Sequence, residues 1–214
     1  MESPGSVYAT AVGSDVPVRA VPTVQGRDLR GTATSRTLSF PAGDLVVVSG
    51  LPGSGKSTLI SRTVVSTEAV ACVDSQDTRE RWRRGLPRRL PYGLYRPFVR
   101  AAHYAGLRRS LAGGGSVVVH DCGTQSWVRR WLASDARRRG RGLHLVVLDV
   151  PPPAALSGQA ERGRSVSRYA FARHRRAVGR LLADAEAGRL PEGCASVVLL
   201  DRGAASALRT VAFE

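Results

Sequence analysis

The segment Gly50-Leu51-Pro52-Gly53-Ser54-Gly55-Lys56-Ser57 has the residue types and spacing of a loop that binds phosphate. Its glycines allow the backbone to approach an anion closely, with several N–H groups pointing inward. The amine of Lys56 can reach the outer phosphates of a nucleotide, and the hydroxyl of Ser57 can ligate Mg²⁺. A helix that starts at Lys56 would turn its positive N-terminal end towards the same anion. The predicted nucleotide contacts are Gly50, Gly53, Ser54, Gly55, Lys56, Ser57 and Thr58.

Lys56 is the only lysine in the chain, because the other 31 of the 32 basic residues are arginines. A nucleotide-composition bias of the gene accounts for this imbalance, but it does not account for a lysine at this position. A planar guanidinium fits a narrow phosphate pocket poorly, whereas an ammonium is a compact point charge. The retained lysine therefore favours a phosphate-binding loop over a chance glycine-rich turn.

A second group of residues has the chemistry of a magnesium site. Asp121 follows the apolar run Val117-Val118-Val119-His120, and a carboxylate at the end of a core strand helps to hold Mg²⁺ and its waters. Ser57 and Asp121 are the predicted metal ligands, and Asp149 is a weaker candidate. Asp121 could instead merely terminate a strand, and His120 could be an ordinary core histidine. Thr124 could orient near the phosphates or cap the following helix.

Two carboxylates follow another apolar run, in the segment Val73-Asp74-Ser75-Gln76-Asp77-Thr78-Arg79. Ligands of parallel sheets bind outside the carboxyl ends of the strands, so a carboxylate here would face the phosphate cleft. Asp74 or Asp77 could take the proton of an acceptor hydroxyl, and Arg79 could bind an acceptor phosphate. Asp77 could equally cap a helix, and Arg79 could lie on a solvated helix face.

The elements that must position these residues alternate between strands and helices. The apolar runs are nearly continuous rather than alternating, which is typical of strands buried on both faces of a parallel sheet. The pattern predicts an α/β fold with a three-layer, doubly wound sheet of five mostly parallel strands. The predicted strands are Leu45–Ser49, Ala69–Val73, Ser116–His120, His144–Val150 and Ser196–Leu200. The predicted helices are Lys56–Ser66, one with Pro97 in its first turn that runs to about Leu111, Gln125–Arg139 and Arg168–Ala187.

The chain of 214 residues suits one domain with a short extension. Residues 1–38 are rich in Ser, Thr, Gly, Pro and Val without a persistent period, which predicts a flexible or loosely attached arm. Isolated strands are possible near Val16–Val24 and Thr37–Phe40. Residues 39–214 form the predicted domain.

Several classes are excluded by the composition. No apolar run approaches the length of a transmembrane helix, and the N-terminus lacks the pattern of a signal peptide. Cys72, Cys122 and Cys194 show no metal-binding or disulfide spacing, and the four histidines form no HExxH pattern. We therefore expect a cytoplasmic protein without a tightly held structural metal and without a membrane partner.

Taken together, the residues resemble the kinase-like branch of P-loop NTPases. This group contains polynucleotide 5′-kinases, zeta toxins, chloramphenicol phosphotransferase and many "AAA domain" ATPases of actinobacteria. The resemblance runs from about Phe40 to Leu200 and rests on the Walker A segment Gly50–Ser57, on Val117–Thr124 followed by Arg129 and Arg130, and on Leu145–Pro151. It implies the strand order 2-3-1-4-5, with ATP and Mg²⁺ as cofactors.

The resemblance also implies a lid after the fourth strand, in the segment Glu161-Arg162-Gly163-Arg164-Ser165-Val166-Ser167-Arg168. Arginines of such a lid touch the nucleotide phosphates and neutralise charge on the transferred group. Arg162 and Arg164 match the catalytic positions, and Arg168 matches a cofactor-binding position. One departure concerns the acceptor-site acid, because Gln76 stands three residues before Arg79 where the group usually has a carboxylate.

The chain has a net charge of +15, and its basic residues are concentrated in one segment that bears on the substrate. Arg79–Arg109 contains ten arginines and a single acidic residue, Glu80. Aromatic residues are interleaved with them, which suits a phosphorylated or nucleic-acid substrate, although composition bias alone could scatter arginines over helix surfaces. The sequence thus predicts a kinase that transfers the γ-phosphoryl of ATP to a hydroxyl acceptor, with a polynucleotide 5′-hydroxyl slightly favoured. The alternatives are an ATPase without a dedicated acceptor, a small-molecule kinase acting on an antibiotic or nucleotide sugar, and a nucleic-acid-binding module switched by nucleotide. The oligomeric state stays open.

Overall fold

The computed structural model describes residues 26–74, 92–120, 126–161 and 166–214, together with Thr78, Arg81 and Arg84. The strands in these ranges are β1 (Gly26–Asp28), β2 (Arg36–Phe40), β3 (Leu45–Gly50), β4 (Val70–Asp74), β5 (Ser116–His120), β6 (Leu143–Leu148), β7 (Ser196–Leu200) and β8 (Leu208–Phe213). The helices are α1 (Lys56–Thr63), α2 (Tyr92–Ala112), α3 (Ser126–Arg138), α4 (Pro152–Ala160), α5 (Arg168–Glu186) and α6 (Arg202–Ala207).

Six of these strands form one parallel sheet in the order β1-β7-β6-β3-β5-β4. All residues of β3, β5, β6 and β7 are buried, as their continuous runs of Val and Leu predict for strands covered on both faces. From β4 to β7 the order equals the expected 2-3-1-4-5 arrangement. The predicted α/β fold is confirmed, and β1 adds a sixth strand at one edge.

Side chains alternate between two cores on the faces of the sheet. Val47, Val119 and Val147 pack against α2, α3 and α5 in one core, whereas Val46, Val48 and their neighbours pack against α1, α6, β2 and β8 in the other. The parallel pair β2–β8 forms a small second sheet on this other side. None of the helices in the described ranges combines the length and hydropathy needed to cross a bilayer.

Residues 26–38 differ from the predicted arm, since part of this segment is built into the domain. β1 pairs in parallel with β7, and Leu29, which follows it, is buried. β2 confirms the possible strand near Thr37–Phe40. Residues 1–25, including the possible strand near Val16–Val24, lie outside the described residues. A boundary at residue 39 would therefore cut through β2 and separate β1 from the rest of the six-stranded sheet.

Arg30 holds this edge in place through three carboxylates. Its guanidinium lies 2.6 Å from Asp28 Oδ2, 2.8 Å from Asp149 Oδ2 and 2.7 Å from Glu186 Oε1. These contacts raise the pKa of Arg30, and the hydrogen bond from Arg30 lowers the pKa of Asp28. A short edge strand of three residues gains little from its own ladder, so the ion pairs supply much of its attachment.

A buried polar network connects the amino ends of three strands of the sheet. His144 Nε2 lies 2.9 Å from Asp44 Oδ2, and His144 Nδ1 lies 2.8 Å from Ser196 Oγ. Asp44 also accepts a hydrogen bond from the backbone N–H of Gly142. The network joins residues at the amino ends of β3, β6 and β7, whereas ligands of such sheets bind at the carboxyl ends. Its role is therefore structural.

Several helix and strand boundaries differ from the sequence-based expectation. Helix α2 begins at Tyr92, so Pro97 lies inside the helix rather than in its first turn. Pro97 removes one backbone hydrogen bond of the helix. The helix tolerates this loss because Pro97 is exposed and because the remaining turns of the long helix pack on the sheet. Helices α4 and α6 and strand β8 were not predicted, because they are short or carry no clear apolar period.

The ion pairs of Arg30 lead to a prediction about stability. Replacing Arg30 by Ala leaves Asp28, Asp149 and Glu186 without their shared partner, and we expect the free energy of unfolding to fall by about 1–2 kcal/mol. Arg27→Ala is the matched control, because Arg27 is an exposed residue of β1, the strand that precedes Arg30. Chemical denaturation of both variants measures the difference, and equal stabilities would contradict the role assigned to Arg30.

Candidate phosphate-binding and acceptor site

The predicted phosphate loop connects the carboxyl end of β3 to the start of α1. Gly53 and Gly55 have φ of 86° and 96°, in the left-handed region that favours glycine. Gly55 is the residue that caps α1, so the first N–H groups of the helix open directly onto the loop. The local geometry is that of an anion-binding turn in front of a helix N-terminus.

Lys56 is held inside this loop. Its ammonium donates hydrogen bonds to the carbonyl oxygens of Gly50 at 3.0 Å and Leu51 at 2.8 Å, and the residue is only 4% exposed. A buried charge needs partners of opposite polarity, and here carbonyl dipoles supply part of that compensation. Nearby, Ser54 Oγ is buried and has no hydrogen-bond partner among the described residues. An anion bound in the loop would supply both the opposite charge and the missing partner.

Helix α4 supports the loop from behind. A Cβ on Gly53 would lie 2.0 Å from the carbonyl oxygen of Ala155, so only glycine allows this close approach. Gln159 Nε2 donates a hydrogen bond to the carbonyl oxygen of Pro52 at 3.1 Å. The loop is therefore shaped before any ligand arrives, which lowers the entropic cost of binding.

A polar cluster lies beside the loop, where Ser57, Asp74 and His120 meet. Ser57 Oγ donates to Asp74 Oδ2 at 3.3 Å and lies 3.3 Å from His120 Nε2. His120 Nδ1 lies 2.8 Å from Asp74 Oδ1. The cluster joins the start of α1 to the carboxyl ends of β4 and β5.

A cavity of about 290 Å³ opens on the other side of Asp74, between β4 and α2. Residues with polar or reactive side chains in its wall are Cys72, Asp74, Thr78, Arg81, His103, Arg109 and Ser110. Burial lowers the pKa of His103, against the opposing field of Asp74. The cavity therefore has a carboxylate at the edge shared with the phosphate loop, a histidine whose neutral form is favoured, and two arginines.

The structure separates the predicted site residues into three groups. Gly50, Gly53, Ser54, Gly55, Lys56, Ser57 and Asp74 come together around the loop. Thr58 lies on the exposed side of α1, and Arg168 is the exposed first residue of α5. The positions of Asp77, Arg79, Asp121, Thr124, Arg162 and Arg164 lie outside the described residues.

Asp149 is the one magnesium candidate that the structure places elsewhere. Its Oδ2 lies 2.8 Å from Arg30, where it fastens the edge of the sheet. From the sequence, Asp149 was a weaker candidate that lies inside the apolar run Leu145–Val150. Sequence reasoning could not foresee the partner, because Arg30 is 119 residues away along the chain.

Three residues of the site were missed by the sequence reasoning. His120 was assigned to the core, but its imidazole reaches both Ser57 and Asp74. His103 and Gln159 belonged to no motif, so the sequence carried no signal for either. Their roles depend on how α2 and α4 pack, which no local spacing determines.

Comparison with known protein families matches residues 45–187 to a family described as AAA domain. The matched stretch is about two thirds of the chain and contains the loop, the polar cluster and the cavity. The chain belongs to this AAA domain family. It is a kinase-like P-loop NTPase, and the predicted nucleotide binding and the predicted enzyme class, an ATP-dependent phosphotransferase or ATPase, are confirmed.

Similar solved structures exist at low sequence identity. The chain is similar to a protein of the PezAT chromosomal toxin–antitoxin system of Streptococcus pneumoniae, with 13% identity, a TM-score of 0.51, and coverage of 81% of this chain and 73% of the other. It is also similar to the tunicamycin resistance protein of Deinococcus radiodurans, with 16% identity, a TM-score of 0.41, and coverage of 66% and 82%. No curated protein matches the sequence.

The packing of α4 behind the loop can be tested with two glycine substitutions. Gly53→Ala forces a Cβ against the carbonyl oxygen of Ala155 and strains a positive φ, so we expect nucleotide affinity to fall at least about tenfold and stability to fall by about 1–3 kcal/mol. Gly179→Ala, in the open middle of α5, is expected to be neutral or slightly stabilising. Calorimetric titration with an ATP analogue and thermal unfolding give both readouts. Normal nucleotide affinity of Gly53→Ala would show that the loop does not depend on this contact.

Proposed function

We propose that this AAA domain protein is a magnesium-dependent kinase that transfers the γ-phosphoryl group of ATP to a hydroxyl of an acceptor bound in the cavity between β4 and α2. One observation carries the proposal. The carboxylate of Asp74 lies 3.3 Å from the loop hydroxyl of Ser57 and also lines the cavity. A group that borders both sites can act on an acceptor that meets the nucleotide there.

In the proposed reaction, the acceptor hydroxyl attacks the γ-phosphorus while its proton passes to Asp74. The bond between the γ-phosphorus and the bridging oxygen breaks, a new phosphorus–oxygen bond forms on the acceptor, and ADP leaves. Lys56 and the backbone N–H groups of the loop hold the phosphates during transfer. Because phosphoryl transfer requires little covalent chemistry from the protein, most of the acceleration comes from positioning and charge neutralisation.

The residues near the loop fit Mg²⁺. The hydroxyl of Ser57 lies in the first turn of α1 beside the loop, and hard oxygen ligands are what Mg²⁺ prefers. We propose that Ser57, together with Asp121, holds the ion, which when bound neutralises charge on the β- and γ-phosphates. Arg162, Arg164 and Arg168 are proposed to close over the phosphates as a lid.

The wall of the cavity supports an acceptor that carries negative charge. Arg81 and Arg109 contribute positive charge, and they belong to the arginine-rich segment that the sequence singled out. A polynucleotide 5′-hydroxyl therefore stays the favoured acceptor. Asp77 is proposed as the alternative base, and Arg79 is proposed as a further contact to a phosphate of the acceptor.

The experiment that separates a kinase from an ATPase follows the label of ATP radiolabelled at the γ-phosphate. It compares ADP formation and labelled product with no acceptor, with 5′-hydroxyl oligonucleotides, and with pooled metabolites. The proposal expects a labelled acceptor and ADP formation that rises with acceptor. Lys56→Ala should abolish both, because the loop loses its compact charge. Hydrolysis that no acceptor changes, without labelled product, would favour the ATPase.

The role of Asp74 has its own prediction. Asp74→Asn keeps the shape of the side chain but cannot take the proton, so we expect the transfer rate to fall about 10²- to 10⁴-fold while ATP affinity changes little. Asp149→Asn is the control, since Asp149 lies at Arg30 and should lower stability without lowering transfer. Single-turnover kinetics and equilibrium binding of ATP measure the two effects. A similar loss of ATP affinity and of rate would assign Asp74 to nucleotide binding instead.

A further inference from the structure

The connections of the sheet determine how α2 is oriented along the cavity between β4 and α2. β4 and β5 are parallel, and α2 joins them, so α2 runs back along β4. Its C-terminal end lies near the start of β4, where Ser116 N donates to the carbonyl oxygen of Ala69. His103 lies nearer the carboxyl end of β4, where the charge of Asp74 acts on its imidazole. The wall from His103 to Ser110 is therefore roughly 10 Å long at the rise of an α-helix.

The two ends of this wall differ in charge. Asp74 is the only carboxylate among the described residues of the lining, and it lies at the end shared with the phosphate loop. Arg109 and the hydroxyl of Ser110 lie at the end remote from His103, and Arg81 adds a second guanidinium. Among the residues that the structure describes, other arginines such as Arg30, Arg139 and Arg189 lie against carboxylates. Neither Arg81 nor Arg109 has such a partner in the described part of the chain.

We infer that the acceptor carries a phosphate group of its own, which Arg109 binds with the help of Arg81 while the acceptor hydroxyl meets Asp74. This inference rests on the proposed kinase function and names the class of its substrate. Guanidinium groups bind phosphate oxygens through paired, charge-assisted hydrogen bonds. A neutral sugar or nucleoside would leave this end of the cavity without a matching group.

The size of the cavity sets the size of the bound unit. A volume of about 290 Å³ lies at the lower end of the range for small-molecule sites, and it suits one nucleotide or one sugar phosphate. The hydroxyl and the phosphate must both fit within the roughly 10 Å wall. A small phosphate ester and the 5′-terminal residue of an oligonucleotide, with the phosphate on its 3′ side, share this chemistry. The test therefore includes both sources.

The test compares acceptors in matched pairs that differ in one phosphate. The pairs are a nucleoside with its 3′-monophosphate and a hexose with its monophosphate, and a 5′-hydroxyl oligonucleotide is the third arm. We expect kcat/KM for the phosphorylated member of a pair to exceed that of its partner by about tenfold to a hundredfold, the range expected for hydrogen bonds to a charged group. Transfer to the oligonucleotide alone would assign the site to nucleic-acid ends, and transfer to a monophosphate would assign it to small phosphate esters.

Arg109 and its neighbour Arg108 provide a matched pair of variants. Arg109→Ala should remove most of the preference for phosphorylated acceptors by raising the KM for the acceptor, with the KM for ATP unchanged. Arg108→Ala should leave the preference intact, because Arg108 is an exposed residue outside the cavity lining. Arg109→Lys should restore part of the preference, because it restores the charge but not the paired geometry. Thermal unfolding of each variant shows that it is folded.

Binding without turnover separates the failure of this inference from failure of the proposed function. Calorimetric titration of the nucleoside and of its 3′-monophosphate is carried out in the presence of a non-hydrolysable ATP analogue. Tighter binding of the monophosphate that is lost in Arg109→Ala supports the inference even where no transfer occurs. Equal binding of the two compounds, or an equal loss in Arg108→Ala and Arg109→Ala, would overturn it.

Discussion

The in-register pairing of three parallel strands, β3, β5 and β4, is the constraint on which the site depends. Val48 pairs with His120, and His120 pairs with Asp74, so the three residues form one row across the sheet. Two residues after this row, β3 ends and the phosphate loop begins. A shift of one residue in either pairing would turn Asp74 or His120 to the other face of the sheet and away from Ser57. The continuous burial of β3 and β5 on both faces provides the energy that holds their register, and the half-buried edge strand β4 is held by its pairing with β5.

The loop itself depends on a second constraint, which is the close contact between Gly53 and α4. A backbone loop that must hold several N–H groups towards one point loses considerable entropy when it is ordered. The carbonyl oxygens around Lys56 and the hydrogen bond from Gln159 fix the loop before a ligand binds. The buried charge of Lys56 and the buried hydroxyl of Ser54 then favour an anion over water.

The large positive charge of the chain has a limited bearing on function. Part of it is used within the fold, where Arg30 fastens the edge of the sheet and Arg141 donates to the carbonyl oxygens of Gly114 and Gly115. Other arginines lie on exposed helix surfaces, where ion pairs contribute little to stability. Arg81 and Arg109 differ from these arginines because they line the cavity beside Asp74.

Local pattern was sufficient wherever a short segment determines its own structure. The spacing of Gly50–Ser57 predicted the loop, and continuous apolar runs predicted the five strands, since each depends on chemistry within a few residues. The position of Asp74 beside Ser57 was foreseen only as one of two options, because both Asp74 and Asp77 follow the strand.

What only the tertiary structure decided involves residues far apart in the chain. The pairing of Arg30 with Asp149 across 119 positions removed a magnesium candidate and joined residues 26–38 to the sheet. The reach of His120 to Ser57 across 63 positions turned a core histidine into a member of the site. The cavity and its arginines exist only because α2 packs back along β4. The sequence alone determined the phosphate loop and the strands, because those depend on local spacing, whereas the acceptor side depended on packing between distant segments, which no local spacing encodes.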